Sequence, residues 1–583
     1  MHFRQAVLLV NNKTYMLQPE RANSFDEVYV AFDRQSERGG TRYSVFLHPK
    51  ADLTVQGLEI QLDLPLPPGA RFLANGFQSQ SESRLYRPDE GIPRLRPWVG
   101  KRLGPGGDDH MPGIPRGRGY LHSWSYAWIS FPSERDSAER GSAVRGSAVL
   151  GSLNESTGFT LFTYDQPNGV LTVRKDMAGL QLSHSFPALD FGVWEGQEVE
   201  IFDAYFNAYG ISRPATEPAL GYTGNRANAP SGPNEHGLLQ QLERVAASGL
   251  PFRHFTIGEG WPAAAGDWLA ATPAFPQGLG SMAQRIREKN LLPALWLTPF
   301  VAAEDSDLVR KHPDWLLKNP AGRPLEAGTL PGGKRRLYVL DFYNNEVRNY
   351  LGGLFHAVLD RWNFDMLHLD RLYAVCLAPP PGKTRGQVMH EAMDFLRQLA
   401  GPKRILAAGV PLGAAFGSVD FCRIGSLTPA GWENRLENWL HHRERESELA
   451  SLRSILGRWQ LNGRALGLVP GAFTLKTEKK KWRITQQQTL LVIYALLGNL
   501  LLTSDDPGGY SPEQKAELEA ALDLAGSRIN RVTENEKDVY TIVFEKDGRR
   551  HAAYCNLTKY IRVVTTGNTR VELQPFETLI LTL

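Results

Sequence analysis

The sequence predicts a (β/α)8 barrel set between two β domains, and three observations carry that prediction. Between about residues 215 and 515, short apolar strands alternate with amphipathic helices; that alternation argues for parallel βα units, and about 300 residues suits one closed barrel. The stretch before it reads as alternating strands separated by Gly, Pro, Asn and Asp turns, as a large sandwich would. The last 60 or so residues return to the same β pattern. The expected domains are therefore 1–214, a β-sandwich, 215–515, the barrel, and 516–583, a small β-sandwich.

In the first domain, TYMLQ, TVQGLEIQLDL, GFTLFTYD and GVLTVRK are the strand signals. Residues 88–120, rich in Pro, Gly and Arg, cannot be regular structure and read as a long, mainly solvated loop. In the barrel, the candidate strands are RHFTIG (253–258), LPALWLTP (292–299), FDMLHLD (364–370), RILAAGV (404–410), DFCRIG (420–425) and NLLLTSD (499–505). Helical patterns lie between them, the longest running from Trp432 to Trp459. Within it, HHRERE (441–446) could be taken for a metal tract, but on a charged helix it reads as a solvated face. Leu490 to Leu502 reads as a buried helix running into a buried strand, too short to span a bilayer of about 18–20 apolar residues. VYTIVFEK, RHAAYCNL and TLILTL mark the C-terminal sheet.

Composition narrows the function classes. With 583 residues, 42% hydrophobic and 22% charged, the chain reads as an ordinary multidomain globular protein. A net charge of +3 argues against a dedicated nucleic-acid binder. Cys376, Cys422 and Cys555 fit no metal motif, and an odd count does not suit a disulfide framework. A reducing, cytoplasmic setting is expected, with no membrane anchor. No phosphate-binding glycine loop, metal-ligand cluster or Ser-His-Asp arrangement competes for the function, so no cofactor and no metal are expected. The 13 Trp suit sugar-stacking platforms or simple core packing.

In a barrel of this kind, chemistry sits at the C-terminal ends of the strands. Those ends carry Glu259, Trp296 to Thr298, Asp370, Arg423 with Ser426, and Asp505 with Asp506. Side chains alternate along a strand, so Met366, His368 and Asp370 share one face and point into the barrel mouth. A carboxylate ending a buried strand can attack an anomeric carbon or act as a general base; it can also simply pair with the adjacent Arg371.

The segments GEGW (258–261), GDWL (266–269), FPQGL (275–279), ALWLTPF (294–300), HPDWLL (312–317), LHLDRLYA (367–374), TRGQVMHEAMDFLR (384–397), GVPLGAAFGSVDFCRIG (409–425), HRERES (442–447) and LLTSDD (501–506) occur in a characteristic order and spacing. In these the chain resembles the family 36 α-galactosidases of glycoside hydrolase clan D, most nearly a bacterial subgroup. The resemblance covers the whole barrel. It implies a retaining hydrolase of α-linked small sugars, with Asp370 as nucleophile. It also implies Arg423 as a sugar-hydroxyl contact, Trp261 and Trp296 as cleft-wall residues, and a homo-oligomer. Several polar positions depart from the family pattern. Gly258-Glu259 stands where the family has two aspartates, so Glu259 keeps one sugar-binding charge on a longer arm. His368 replaces a lysine, and Leu427 stands where the acid/base aspartate belongs. Leu468-Val469-Pro470-Gly471 replaces Asn-Asp-Pro-Asp. Glu433, Asp505 and Asp506 are the candidate substitute acids. The sequence therefore supports a glycosidase of altered specificity or reduced activity. The alternatives are a catalytically inactive, sugar-binding or regulatory homologue, and a purely structural subunit.

Overall fold

A computed structural model describes residues 2–96, 106–108, 113–131, 146–211, 217–224, 233–270, 272–329, 335–426, 431–476, 482–566 and 569–583. Its centre is a ring of eight parallel strands. We label them β1 (Ala219–Thr223), β2 (Phe252–Ile257), β3 (Leu292–Leu297), β4 (Met366–Leu369), β5 (Arg404–Ala407), β6 (Phe421–Arg423), β7 (Gly467–Val469, resuming at Ala472–Phe473) and β8 (Leu500–Thr503). Each pairs with the next in chain order. The ring closes because the second half of β7 pairs with β8, and β8 pairs with β1. The break in β7 falls at Pro470, which has no backbone N–H to give to a ladder.

Register fixes what fills the ring. Ala294 stands opposite Met366, and Trp296 opposite His368, which in turn faces Leu406. Ala294, Met366, Leu406, Phe421, Val469, Ala472, Leu500 and Leu502 form one buried cluster, the packed floor of the barrel. Two residues further along β4, the same inward face carries His368 and then Asp370.

The N-terminal region is a sandwich of an eight-stranded and a seven-stranded sheet whose strands pair antiparallel, with Leu8, Val30, Val45, Ile60, Phe162 and Phe191 in the core between them. The helix Glu198–Tyr209 joins it to β1. The helix Pro512–Leu522 begins with a Ser511 capping box and packs on Ile484–Leu497. The C-terminal strands run from Arg528 to Thr582 in a four-stranded and a two-stranded sheet.

One sequence expectation fails here. The stretch from Trp432 to Trp459 is not one helix. It splits into Arg435–Trp439 and Glu448–Arg458, each started by a side chain that accepts from the first turn, Asn434 and Ser447. His441 lies at φ 65 between them, a left-handed conformation that a helix interior does not tolerate. Residues 441–447 are thereby freed as a loop, and Arg443 and Arg445 are buried rather than solvated.

Candidate active site

Asp370 is placed by continuation of the β ladder: its backbone N–H donates to the Leu297 carbonyl of β3 at 2.9 Å. The next residue, Arg371, takes a left-handed φ of 56, which turns the chain sharply. That turn aims the Arg371 backbone N–H at Asp370 Oδ1, 2.8 Å away. The other carboxylate oxygen, Oδ2, accepts from Arg423 Nη2 at 3.0 Å and lies 3.5 Å from the indole Nε1 of Trp296. Burial pushes the Asp370 carboxyl up, but the guanidinium charges of Arg423 and then Arg371 outweigh it and hold the group below the usual carboxylate range. Asp370 is therefore ionised at neutral pH.

Arg423 ends β6. Its Nη1 donates to the Gly425 carbonyl at 3.3 Å. With the Gln80 amide turned to match its neighbours, the Gln80 oxygen accepts from Arg423 Nη2 at 2.9 Å and from the Gly409 N–H at 3.3 Å. Gln80 belongs to the N-terminal domain, so that domain reaches the barrel mouth.

His368 is 1% exposed, and neither ring nitrogen has a hydrogen-bond partner among the described residues. Burial, reinforced by the nearby Arg423 charge, pushes its pKa down to about 3. The imidazole is neutral at physiological pH, with one donor and one acceptor uncommitted. It is not alone. Thr223, Thr256 and Thr298 hydroxyls and Arg423 Nε are also buried without a partner among the described residues. Register puts Thr223 beside Thr256, and Thr256 beside the inward-facing Ala294. A buried hydroxyl or imidazole left unpaired costs about 1–3 kcal/mol. Several on one face are a standing demand for a polar ligand.

The other expected contacts divide. Trp296 flanks Asp370 directly. Glu259 feeds the electrostatics of the cup through its attraction to Arg371. Trp261 does not form a cleft wall: it is 1% exposed, packed against Trp268 and Trp362, and its Nε1 donates to the Trp296 carbonyl at 2.8 Å. It holds the end of β3, and so Trp296, in position.

The chain is similar to known proteins in sequence and in fold. A sequence profile of the melibiase family matches residues 237–396. Alpha-galactosidase 1 of Pediococcus pentosaceus is 29% identical over 179 residues, 28% of this chain and 23% of that protein. AgaA of Geobacillus stearothermophilus is 36% identical over 125 residues, 20% of this chain and 16% of that protein. The matched segments thus span about a quarter or less of these relatives. Among solved structures, the Thermus thermophilus α-galactosidase TtGalA in complex with stachyose superposes with a TM-score of 0.69 at 26% identity, covering 90% of this chain and 99% of that one. In sequence and in fold the chain is similar to the α-galactosidase-like glycoside hydrolases of family 36.

In this chain, the substitute acids expected from sequence make other contacts. Glu433 takes two hydrogen bonds from Arg445, at 2.9 and 3.3 Å. Asp505 accepts from the backbone of Leu475 and Lys476 and from Tyr510. Asp506 caps Gly508 and pairs with Arg244. Leu427 lies outside the described residues. Beside it, Ile424 donates to the Val469 carbonyl, and a side chain on Gly425 would collide with the Pro470 carbonyl oxygen at 2.0 Å. The tops of β6 and β7 thus pack backbone to backbone, with Val469 buried in the floor, where the family pattern has carboxylates.

The sequence reading missed Gln80 and the charged interface beneath it. Asp108 and Arg116, from the stretch expected to be a solvated loop, are buried with His122 and Arg443 in one ion-paired cluster. Glu82, Arg445, Arg453 and Asp538 form a second. Contacts spanning more than 300 residues have no local sequence signal. Among the described residues, no group of His, Cys, Asp and Glu could hold a metal, and no helix is long and apolar enough to cross a membrane.

Proposed function

We propose that this chain hydrolyses α-linked small sugars with retention, Asp370 being the nucleophile, and that its specificity differs from that of the α-galactosidases it resembles. The observation that carries this reading is an ionised carboxylate at the end of β4, beside buried polar atoms that lack partners. A sugar hydroxyl both donates and accepts, as the neutral His368 and the threonine hydroxyls require. Arg423 keeps Asp370 charged and fixes one oxygen, while Arg371 N–H fixes the other. The loss of carboxylates at 258 and 469 removes hydroxyl clamps, which supports a weak affinity for galactose itself.

One observation favours a second reading. Arg423 spends its Nη2 on Asp370, and an ion-paired carboxylate of lowered pKa is a weaker nucleophile; a non-catalytic sugar-binding protein would tolerate that. Activated aryl α-glycosides of several sugars separate the two. The hydrolase reading expects slow turnover that Asp370→Asn abolishes; binding without turnover on every sugar would support the second. The buried, unpaired state of Cys376, Cys422 and Cys555 supports a reducing, cytoplasmic setting, and the family resemblance supports a homo-oligomer.

A further inference from the structure

The hydrolysis proposed above needs a proton donor for the leaving oxygen, and the family position for it is Leu427. The loop 441–447 is hydrogen-bonded to the last described residue after β6. Ser426, the residue before Leu427, donates through Oγ to the Arg445 carbonyl at 3.5 Å and accepts from the Ser447 N–H at 3.3 Å. One hydroxyl thus clasps the backbone on both sides of Glu446. The Glu446 backbone N–H is held in turn by the Glu437 carboxylate. Arg443 and Arg445 point into the domain interface, but Glu446, between the buried Arg445 and Ser447, is exposed. Its carboxylate lies in the field of Arg423 and Arg371, the two guanidinium groups that flank Asp370. Charge, placement and exposure converge on one group.

We propose that Glu446 is the acid/base residue of this chain, replacing from the β6 loop the carboxyl that position 427 has lost. In the first step an Asp370 oxygen bonds to the anomeric carbon. The bond to the leaving oxygen breaks with its electron pair, and that oxygen takes the proton of Glu446. In the second step the Glu446 carboxylate takes a proton from water. The water oxygen bonds to the anomeric carbon, and the ester bond to Asp370 breaks, returning its electrons to the carboxylate. Glu446 must hold its proton near neutral pH for the first step. Desolvation and the neighbouring Glu437 push it up, against a weaker downward pull from Arg423 and Arg371, and the net direction is upward. The other charges on its loop are committed: Arg445 to Glu82 and Glu433, His442 to Glu437 and Glu444.

The proposal rests on the hydrolase reading, and its test separates the two. Turnover of aryl α-glycosides with acidic and with basic phenol leaving groups is measured for the wild type, Asp370→Asn, Glu446→Gln and Glu446→Ala, with and without azide, across pH. Glu446→Ala is expected to slow the basic leaving group by about 100- to 10,000-fold and the acidic one far less. The fall in rate at high pH should vanish, and azide should restore turnover as a glycosyl azide of retained configuration. Glu446→Gln, on an exposed side chain, should melt with the wild type. If the wild type is active and Asp370-dependent, but Glu446→Ala keeps its leaving-group dependence and pH profile, the assignment of Glu446 is overturned and the hydrolase reading stands. If the wild type turns over no glycoside, both fall together.

Discussion

Two buried polar regions lie within this chain, and they are built on opposite principles. At the interface between the N-terminal domain and the barrel, the buried charges are ion-paired, and His122 Nδ1 is the ring nitrogen there left without a partner among the described residues. Asp108 accepts from His122 at 2.7 Å, from Arg443 at 2.8 Å and from Arg116 at 3.3 Å. Arg443 also donates to the Ala74 and Glu82 carbonyls. Arg453 bridges Glu82 and Asp538. In the barrel cup the balance is different: Asp370 is paired, but His368, three threonine hydroxyls and Arg423 Nε are left over. Buried charges survive folding only when paired, so the interface describes what stability requires. The cup carries a cost that stability alone would remove. The difference supports the proposal that a ligand completes the hydrogen bonding of the cup.

This contrast can be broken by substitution. The largest effect is expected at Asp370→Asn, which should lower turnover of activated glycosides at least about 1,000-fold, since no second nucleophile is proposed; a rate within tenfold of the wild type would remove Asp370 from the mechanism. On the interface side, Arg443→Met leaves Asp108 with a weakened set of partners. It should cost about 3–5 kcal/mol, read as a large drop in the denaturation midpoint; a midpoint near the wild type would mean the network is not what holds the domains. Conversely, His368→Leu takes an unpaired imidazole out of the cup. Its midpoint should stay level or rise, by as much as about 1–3 kcal/mol, while sugar affinity falls. A protein that is destabilised yet binds sugar normally would reverse the assignment of the two regions.

The smallest effect sharpens the interface side. Glu198, at the start of its helix, makes no ion pair among the described residues; Gln460 Nε2 donates to it at 2.9 Å. Burial raises its pKa to about 8, a hydrogen bond from Gln460 and the more distant Arg531 pulling the other way. The folded chain therefore holds a proton that the unfolded chain releases above pH 4.5 or so. That contribution is complete below this pH and is lost as pH rises through about 8. Melting curves of the wild type should fall across that window, and those of Glu198→Gln should be flatter; parallel curves would show that Glu198 is charged in the folded state.

The barrel and the placement of Asp370 at a strand end were legible because they are local. The two-residue period of FDMLHLD places His368 and Asp370 on one face, and a strand end in a βα unit is a site by geometry. The interface was not legible. HHRERE reads as a solvated helical face until His441 and Ser447 break the helix, after which Arg443 and Arg445 turn toward Glu82 and Asp108, partners more than 300 residues away. Trp261 misled for a related reason. Its sequence position at a strand end is right for a cleft wall, but its indole N–H is spent on the Trp296 carbonyl, a contact that only packing decides.

Covalent trapping tests the central claim most directly. The protein is incubated with fluorinated, activated α-glycosides of several sugars, in which the second step is slow, and then weighed intact and mapped by peptide mass spectrometry. The account predicts one added fluorosugar on the peptide that contains Asp370, absent in Asp370→Asn. An adduct on another residue, or none with any sugar while those sugars bind, would contradict it.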